Sequence, residues 1–460
     1  MFTTPNHLPL ISRRTALRSL MAGSLLMPAV MSDLLGADKS VIDPLAPKAA
    51  HFPGKAKRVI FIFLTGGFSH IDSFCHRPKL IADAGKQLKE REFLKAPEWE
   101  FKPRGQSGIM ISEMFPNVAA HADDLCIVNS LVGDHGNHFE ATLGIHTGSV
   151  TFSRPSIGSW ISYGLGSENK NLPSFMVLAP HLPYAGGQTW ANDFLPACHQ
   201  GTRLIPGDEP IPNLNRLLPS QGLQDLELGL IRSFNDRHLS GRTEDNTLAA
   251  RIRSFETAAG MQQEGPAAFD LSGESDATHE LYGLKRGEKK GFGWQALVAR
   301  RLAERGVRFI ELIDTGASNN WDSHGNMQDH AKLAKNVDQP IAALLADLKQ
   351  RGMLDDTLVV CTTEFGRTPQ VDKADHKGRE HHKDCFSSWM CGGGAKRGIS
   401  YGVPDDYGIQ VADKRVHVHD FHATILHLLG FDHERLTYRH AGRDFRLTDV
   451  HGEVVKELLA

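Results

Sequence analysis

The sequence carries no surplus of charge of either sign. It has 51 Lys and Arg residues against 54 Asp and Glu residues, so its formal net charge is −3. A chain without a bulk positive field has little with which to hold a polyanion, and we expect no nucleic-acid partner. Hydrophobic residues make up 40% and charged residues 23% of the chain. These proportions exclude a disordered protein and are typical of a globular one.

Cysteine is scarce, with six residues in a chain of 460 and no regular spacing. This excludes a small scaffold held together by disulfide bridges. Cys126 and Cys361 fall within apolar runs, where a free thiol behaves as a small hydrophobic group. A single bridge from Cys385 or Cys391 to a distant partner stays open as an alternative.

Several catalytic sequence patterns are absent. No Gly-Lys-Ser/Thr follows Gly392-Gly393-Gly394, so this run is not a phosphate-binding loop. The segment Gly105-Gln106-Ser107-Gly108 misses the nucleophile-elbow pattern by one position. There is no His-Glu-x-x-His motif. A serine hydrolase that uses Ser69 or Ser107 therefore has no coherent motif in its favour.

The N-terminus resembles an export signal. The segment Ser12-Arg13-Arg14-Thr15 is similar to a twin-arginine motif, although Ala16 stands where Phe is usual. The apolar stretch that follows, 20–30, is shorter than the about 20 residues that span a bilayer. We predict a signal peptide over 1–37 that engages the twin-arginine export machinery, and a protein located in the periplasm or at the cell surface. The alternative is an N-terminal tail with a chance Arg pair.

Apolar runs alternate with helical patterns along the rest of the chain. Buried strands are predicted at 58–64, 125–131, 175–178, 307–313, 357–362 and 386–391. Helices are predicted at 294–305, 338–351 and 420–429, the last with Asp420 as its N-cap. This alternation predicts one α/β domain over 38–460, with a mostly parallel, Rossmann-like sheet covered by helices on both faces. The stretch 180–291, rich in Pro, Gly and Asn, is predicted to be an inserted, irregular cap.

Polar clusters follow four of the predicted strands, at 65–72, 133–138, 319–326 and 363–368, and a fifth at 376–384 precedes the last strand. Ligands of parallel sheets bind beyond the carboxyl ends of the strands. We therefore expect these loops to converge on one edge of the sheet.

Carboxylate and imidazole groups in these loops indicate a metal site. Asp322, His324, Glu364 and His381 are the predicted ligands of one divalent ion, and mixed oxygen and nitrogen donors suit Zn²⁺ or Mn²⁺ better than Ca²⁺. Three alternatives stay open: a solvated turn for Asp322 and His324, an ion pair of Glu364 with Arg367, and a surface position for His381. The later histidines at 417, 419, 422 and 427 are explained by a half-exposed strand and an amphipathic helix.

Segments over nearly the whole chain resemble the exported bacterial family called domain of unknown function 1501. They are 61–72, 134–148, 154–159, 320–326, 363–369 and 392–460. The family in turn looks like a branch of the alkaline phosphatase and sulfatase superfamily. The resemblance implies an alkaline phosphatase-like fold and a metal-dependent hydrolysis of phosphate or sulfate esters.

The residues depart from the superfamily pattern at the nucleophile. Ten residues before Gly148, where the superfamily has Ser, Thr or a modified Cys, this chain has His138. The sulfatase pattern Cys/Ser-x-Pro-x-Arg is not completed around Pro155, which argues against a formylglycine sulfatase. The resemblance therefore implies that His138 is a metal ligand, a general base or the attacking group itself.

The metal-binding pattern of the superfamily is only partly present. Glu364 stands at the position of the Asp in the superfamily's Asp-His pair and keeps its carboxylate. Asn320 and His324 align with the first and last residues of the motif Asp-x-x-x-His, and Asp322 is the candidate substitute for the missing Asp. His381 fits the final histidine of the pattern. Arg367 is expected to hold an anionic substrate through its planar guanidinium, or else to pair with Glu364.

The leading hypothesis is an exported metal-dependent hydrolase of phosphate or sulfate esters, with polysaccharide esters among the candidate substrates. It requires one divalent metal ion, no organic cofactor and a small or polymeric anionic substrate, and we expect no stable membrane span. The alternative, favoured by the missing nucleophile, is a non-catalytic exported protein of the same fold that binds an anion or a glycan.

Overall fold

The computed structural model of the protein describes residues 43–216, 218–242 and 245–460. The predicted signal peptide, 1–37, lies outside the described residues.

A nine-stranded sheet forms the centre of the fold. Its strands are, in chain order, β1 Arg58–Phe63, β2 Leu125–Val132, β3 Phe175–Leu178, β4 Thr202–Leu204, β5 Phe309–Ile313, β6 Thr357–Thr362, β7 Phe386–Cys391, β8 Ile399–Tyr401 and β9 Val416–His417. Across the sheet the order is β8-β2-β7-β6-β1-β5-β3-β4, and β9 pairs with β2. Only β7 runs antiparallel to its neighbours, β6 and β2. The predicted mostly parallel sheet is confirmed.

Both faces of the sheet are buried, which explains why its strands read as continuous apolar runs. Alternate residues of β1 belong to different cores: Ile60 and Ile62 pack into one hydrophobic cluster, and Phe61 and Phe63 into the other. The first cluster includes side chains of two helices, Gly291–Glu304 and Asp329–Gln350. The second cluster includes side chains of helices on the opposite face, Ile157–Leu165 and Val418–Leu428.

The remaining elements surround this sheet. The other α-helices are Pro78–Ala82, Pro116–Ala119, His138–Thr147, Gln221–Ser240, Asn246–Phe269 and Asp276–Leu281. Short 3₁₀ helices lie at Ala122–Asp124, Gly186–Trp190, Ala197–His199 and Lys456–Leu458. Two- to four-residue strands outside the main sheet are Gln87–Lys89, Glu92–Leu94, Phe101–Arg104, Ile109–Ser112, Gly366–Arg367, Gln370–Val371, His381–His382, Val403–Pro404, Val411–Asp413, Tyr438–His440 and Arg443–Phe445. Within the described ranges, no helix combines the length and the apolar character that a membrane crossing requires.

Two predicted elements differ from the structure. The helix predicted from residue 338 starts at Asp329 and continues through Pro340. The sequence predicted Asp420 as the N-cap of the helix Val418–Leu428, and this prediction is wrong. His417 caps that helix, and Asp420, at its third position, accepts a hydrogen bond from the His417 backbone N–H at 2.8 Å. The two residues together form a capping box, because each satisfies a free N–H of the first turn.

The predicted cap, 180–291, is more regular than its composition suggested. It supplies strand β4, which pairs in parallel with β3 at the sheet edge. It also contains the helices Gln221–Ser240, Asn246–Phe269 and Asp276–Leu281. The first of these leaves most of its residues exposed, its large apolar side chains included, so it has no buried apolar face.

All six cysteines are free and buried. The disulfide bridge that stayed open for Cys385 or Cys391 is therefore not formed. Burial raises the pKa of the Cys75 thiol to about 11 and that of the Cys126 thiol to about 12. These thiols are packing groups of the core, as expected for Cys126 and Cys361.

Candidate metal centre

The predicted loops converge on one edge of the sheet. The chain leaves β1, β2, β5 and β6 at this edge, because these strands run in the same direction. Strand β7 runs the other way, so its amino end, just after His381, lies at the same edge. Segments that are far apart in sequence thus meet through the sheet topology.

One carboxylate, that of Asp322, lies at the centre of this cluster. Its Oδ1 is 2.9 Å from His324 Nε2 and 3.2 Å from His381 Nε2, and its Oδ2 is 3.2 Å from His138 Nε2. The Nε2 atoms of His324 and His381 are 3.0 Å apart. Three imidazoles therefore direct the same ring atom toward one carboxylate.

The opposite nitrogen of each ring contacts an acceptor. His138 Nδ1 lies 2.7 Å from Glu364 Oε1, His324 Nδ1 lies 2.8 Å from Glu380 Oε2, and His381 Nδ1 lies 2.8 Å from the carbonyl oxygen of Gly136. A carboxylate or a carbonyl only accepts, so each Nδ1 is assigned as the donor and each neutral ring keeps its lone pair on Nε2. Histidines that ligate metals are oriented in this way by acceptors behind the ring.

The Nε2 of His138 is buried and has no hydrogen-bond partner among the described residues, although Asp322 Oδ2 is near. The ring is fixed from both sides. Tyr184 stacks on it at 4.1 Å between ring centroids with an angle of 10°, and Phe365 lies at 4.8 Å. Burial lowers the pKa of His138, but the carboxylates of Asp322 and Glu364 outweigh this effect and raise it above its ordinary value. A positive charge is therefore favoured at this nitrogen.

These donors fit a single cation. His138, Asp322 and His381 each offer a ligand atom within 4.8 Å of the other two, and His324 contacts Asp322 and His381. Three imidazoles and one carboxylate are a ligand set that suits Zn²⁺, Mn²⁺ or Fe²⁺ and is uncommon for Ca²⁺.

Arg367 pairs with Asp322 and not with Glu364. Its Nη2 lies 2.7 Å from Asp322 Oδ1, and the guanidinium also donates to the carbonyl oxygens of Gly66, Gly67 and Arg379. Burial alone would raise the pKa of Asp322, but the adjacent imidazoles of His138 and His381 and the charge of Arg367 hold it well below its usual range. Arg367 is fully buried, so its guanidinium faces Asp322 and the backbone and not solvent.

Glu364 lies behind His138, on the side away from Asp322. Its carboxylate accepts hydrogen bonds from Gly66 N at 2.9 Å and from Thr363 Oγ1 at 2.9 Å, in addition to His138 Nδ1. The side chain is fully buried. All of its contacts are therefore with protein groups around the ring of His138.

Glycines at the end of β1 allow this close packing. Gly66 has a φ of +112°, and a Cβ atom there would lie 2.7 Å from Asn320 Oδ1. Asn320 Oδ1 accepts the backbone N–H of Asp322 at 3.0 Å, so a side chain at position 66 would disturb the loop that carries Asp322.

All six residues singled out in the sequence, His138, Asp322, His324, Glu364, Arg367 and His381, lie in this one cluster. Two contributors were missed. Glu380 is next to His381 in sequence and could have been proposed from that position, whereas Tyr184 lies in the irregular part of the predicted cap and carries no motif. The neighbour His382 turns away and lies 3.2 Å from the carbonyl oxygen of Gly408.

A second cluster of Asp134, His417 and His419 has a different proton arrangement. His417 Nδ1 accepts the backbone N–H of His419 at 3.2 Å, so the neutral ring carries its proton on Nε2, which lies 3.0 Å from Asp134 Oδ1. The ring is thus satisfied without a cation. This matches the expectation that His417 serves local structure.

The sequence matches the family described as "Protein of unknown function (DUF1501)" over residues 56–459. The chain therefore belongs to this family, and the resemblance stated from its motifs is confirmed. No curated protein matches the chain at a significant level.

Solved structures that match the fold include three named enzymes. The lipoteichoic acid synthase LtaP from Listeria monocytogenes is 10% identical, with 89% of this chain and 80% of that one covered and a TM-score of 0.33. The alkaline phosphatase from the Antarctic bacterium TAB5 is 11% identical, with 82% and 99% covered and a TM-score of 0.34. The PsFucS1 sulfatase from Pseudoalteromonas sp. is 12% identical, with 82% and 68% covered and a TM-score of 0.35. At such identities and TM-scores these matches transfer no chemistry to this chain.

Proposed function

We propose that His138, Asp322, His324 and His381 hold one divalent metal ion, with Zn²⁺ or Mn²⁺ favoured over Ca²⁺. The observation that carries this proposal is the orientation of the three imidazoles around Asp322. Each Nδ1 contacts an acceptor, and each Nε2 is directed toward Asp322. Three lone pairs facing one carboxylate are stabilised by a shared cation and are poorly satisfied without one.

The other residues of the site act through these four. Glu364 and Glu380 orient the rings of His138 and His324 through their Nδ1 atoms. Arg367 positions Asp322, because it binds one carboxylate oxygen while three backbone carbonyls fix its own guanidinium. The sequence predicted Glu364 as a metal ligand. We assign it a supporting role instead, because its carboxylate contacts His138 Nδ1 and not Nε2, the ring nitrogen that faces Asp322.

The activity that this centre supports best is hydrolysis of phosphate or sulfate esters. A divalent cation held by these four residues would supply Lewis-acid chemistry and an activated water, and a side-chain nucleophile at position 138 would then not be required. The loops that carry the four ligands open at the sheet edge, where His324 is 40% exposed and Asp322 24% exposed. Substrate would reach the centre from this side. We place the protein in the periplasm or at the cell surface because of the motif at 12–18.

A second candidate function is the binding of an anion or a glycan without turnover. His138 favours it, because position 138 offers an imidazole and no hydroxyl or thiol nucleophile. Both candidates share the same metal centre and differ only in whether the bound ligand is cleaved.

The metal centre is tested by elemental analysis of the purified full chain and by titration with Zn²⁺ and Mn²⁺. We expect about one ion per chain, and its loss in the variants Asp322→Ala and His381→Ala. The matched control is His417→Ala, because both ring nitrogens of His417 already have partners in Asp134 and the His419 backbone. A wild-type chain that binds no metal would overturn the proposal, as would a loss of metal in the control equal to that in Asp322→Ala.

Activity is tested on the metal-loaded chain with aryl phosphate and aryl sulfate esters. The hydrolase proposal expects turnover that is abolished by chelation and restored by the metal. Metal-loaded protein that binds inorganic phosphate or sulfate but leaves both esters uncleaved selects the second function. Turnover that persists at full rate in Asp322→Ala refutes a metal-dependent reaction.

A further inference from the structure

The helix Gln221–Ser240 turns large apolar side chains toward solvent. Leu223, Leu226, Leu230, Ile231 and Phe234 are 49%, 73%, 59%, 48% and 63% exposed, and we call this set the exposed stripe. Four of its members follow at spacings of three or four residues, which places them on one side of the helix. A contiguous apolar patch of this kind on a folded protein marks an interaction surface.

The exposed stripe does not hold the helix to its own chain. The helix is attached through its other side, where Gln224 is buried and hydrogen-bonds Gln262 of the neighbouring helix Asn246–Phe269. Arg232 reaches Glu256 of the same helix at 3.6 Å. The residues that the structure describes leave the exposed stripe uncovered.

Charges along the helix indicate which partner fits. The first half, 221–230, carries Asp225 and Glu227, a charge of −2. The second half, 231–240, carries Arg232, Asp236 and Arg237, but Arg232 is already paired with Glu256 of its own chain, so Arg237 is the cation of this half that a partner can meet. A lipid surface selects a helix rich in Lys and Arg, which this one is not. Two copies of the helix placed antiparallel bring the acidic half of each opposite the half of the other that carries Arg237.

We propose that the exposed stripe is a two-fold interface between two copies of this chain, in which the helices Gln221–Ser240 pair antiparallel. A two-fold axis makes each copy present the same patch to the other. With Leu230 nearest the axis, Leu226 lies opposite Phe234 of the second copy, because both are four residues from Leu230. The stripe offers roughly 500 Å² of apolar surface per copy, and its polar rim brings this toward the ~800 Å² of a standard interface.

The proposal is tested by sedimentation velocity of the full chain over 1–100 μM, a range in which a specific dimer of this size is expected to form. We expect a dimer whose dissociation constant rises at least ~30-fold in the variants Leu226→Glu and Phe234→Glu. The matched control is Val450→Glu, because Val450 is 71% exposed and lies outside the stripe. Far-ultraviolet circular dichroism checks that each variant is folded.

A cross-linking variant tests the geometry separately. In Leu230→Cys the two new thiols meet at the axis, and we expect oxidation to give a covalent dimer because the six native cysteines are buried. Val450→Cys should stay monomeric on gels. A wild-type chain that is monomeric throughout, a dimer that Leu226→Glu leaves intact, or a Leu230→Cys chain that does not cross-link would each overturn the proposal.

Discussion

A buried ion pair next to the metal centre gives a prediction with a defined size. Arg379 Nε lies 2.8 Å from Asp72 Oδ2, and both side chains are fully buried. The guanidinium also donates to the carbonyl oxygens of Ala96 at 2.8 Å and Thr368 at 3.1 Å. Arg379 is two residues before His381, and its own carbonyl oxygen accepts from Arg367. The pair therefore connects the loop after β1 to two residues of the site.

The perturbation is Arg379→Met, which keeps an unbranched side chain and removes the charge. Burial would raise the pKa of Asp72, but Arg379 and the hydrogen bonds from Ser69 and the Glu98 backbone hold it below its usual value. Without Arg379, a carboxylate stays buried with two hydrogen bonds and no counter-charge. Removing one partner of such a pair costs about 3–5 kcal/mol of unfolding free energy.

The assay is urea unfolding at pH 7, with the midpoint and the slope fitted for each variant. The matched control is Arg397→Met, because Arg397 and its partner Asp355 are 47% and 82% exposed. Such an exposed pair contributes about 0–1 kcal/mol. The deficit of Arg379→Met should also shrink as the pH falls, because protonation removes the uncompensated charge of Asp72.

The reasoning is refuted if Arg379→Met and Arg397→Met lose the same free energy. A double variant, Asp72→Asn with Arg379→Met, completes the cycle. We expect it to be more stable than Arg379→Met alone, since no buried charge is left unpaired. A double variant that loses the sum of the two single losses would show that the two groups are not coupled.

Three further predictions concern the site and the core. Glu364→Gln should weaken metal binding about 10- to 100-fold by calorimetry, because the ring of His138 loses its charged acceptor; affinity equal to wild type would contradict this. Gly66→Ala should cost about 1–3 kcal/mol in urea unfolding, since φ is +112° and a Cβ would meet Asn320. Gly136→Ala, with open space around it, is the control and should stay near wild type. Burial lowers the pKa of His199 and of His422 to about 3. The unfolded chain therefore binds more protons below pH 6.5, and stability should fall by about 3 kcal/mol between pH 6.5 and pH 5; a level profile of stability against pH would exclude this effect.

The central strands were predictable because burial on both faces removes the polar alternation from their sequence. β1, β6 and β7 each lie within one residue of the predicted bounds. The edge strand β4 was not predicted. It has only three residues, two of them half-buried, so its sequence carries no apolar run.

The set of site residues was predictable, but their pairing was not. Parallel topology brings polar loops to one edge, and this principle placed Asp322, His324 and His381 together. His138 was singled out by its position ten residues before Gly148. Whether Arg367 pairs with Glu364 or with Asp322 depends on how three distant segments pack, and adjacency in sequence favoured the wrong partner. The division between ligands and supporting carboxylates depends on which ring nitrogen faces which oxygen, and a sequence does not carry that information.

The late position of β7 in the chain sets when the centre can be assembled. His138 belongs to the first third of the chain, whereas His381 takes its place only when β7 inserts between β2 and β6. The ribosome must therefore synthesise the chain to about residue 391 before all four donors exist together. Metal uptake during synthesis would have to be among the last events, and a truncated chain that ends before β7 should have no high-affinity metal site.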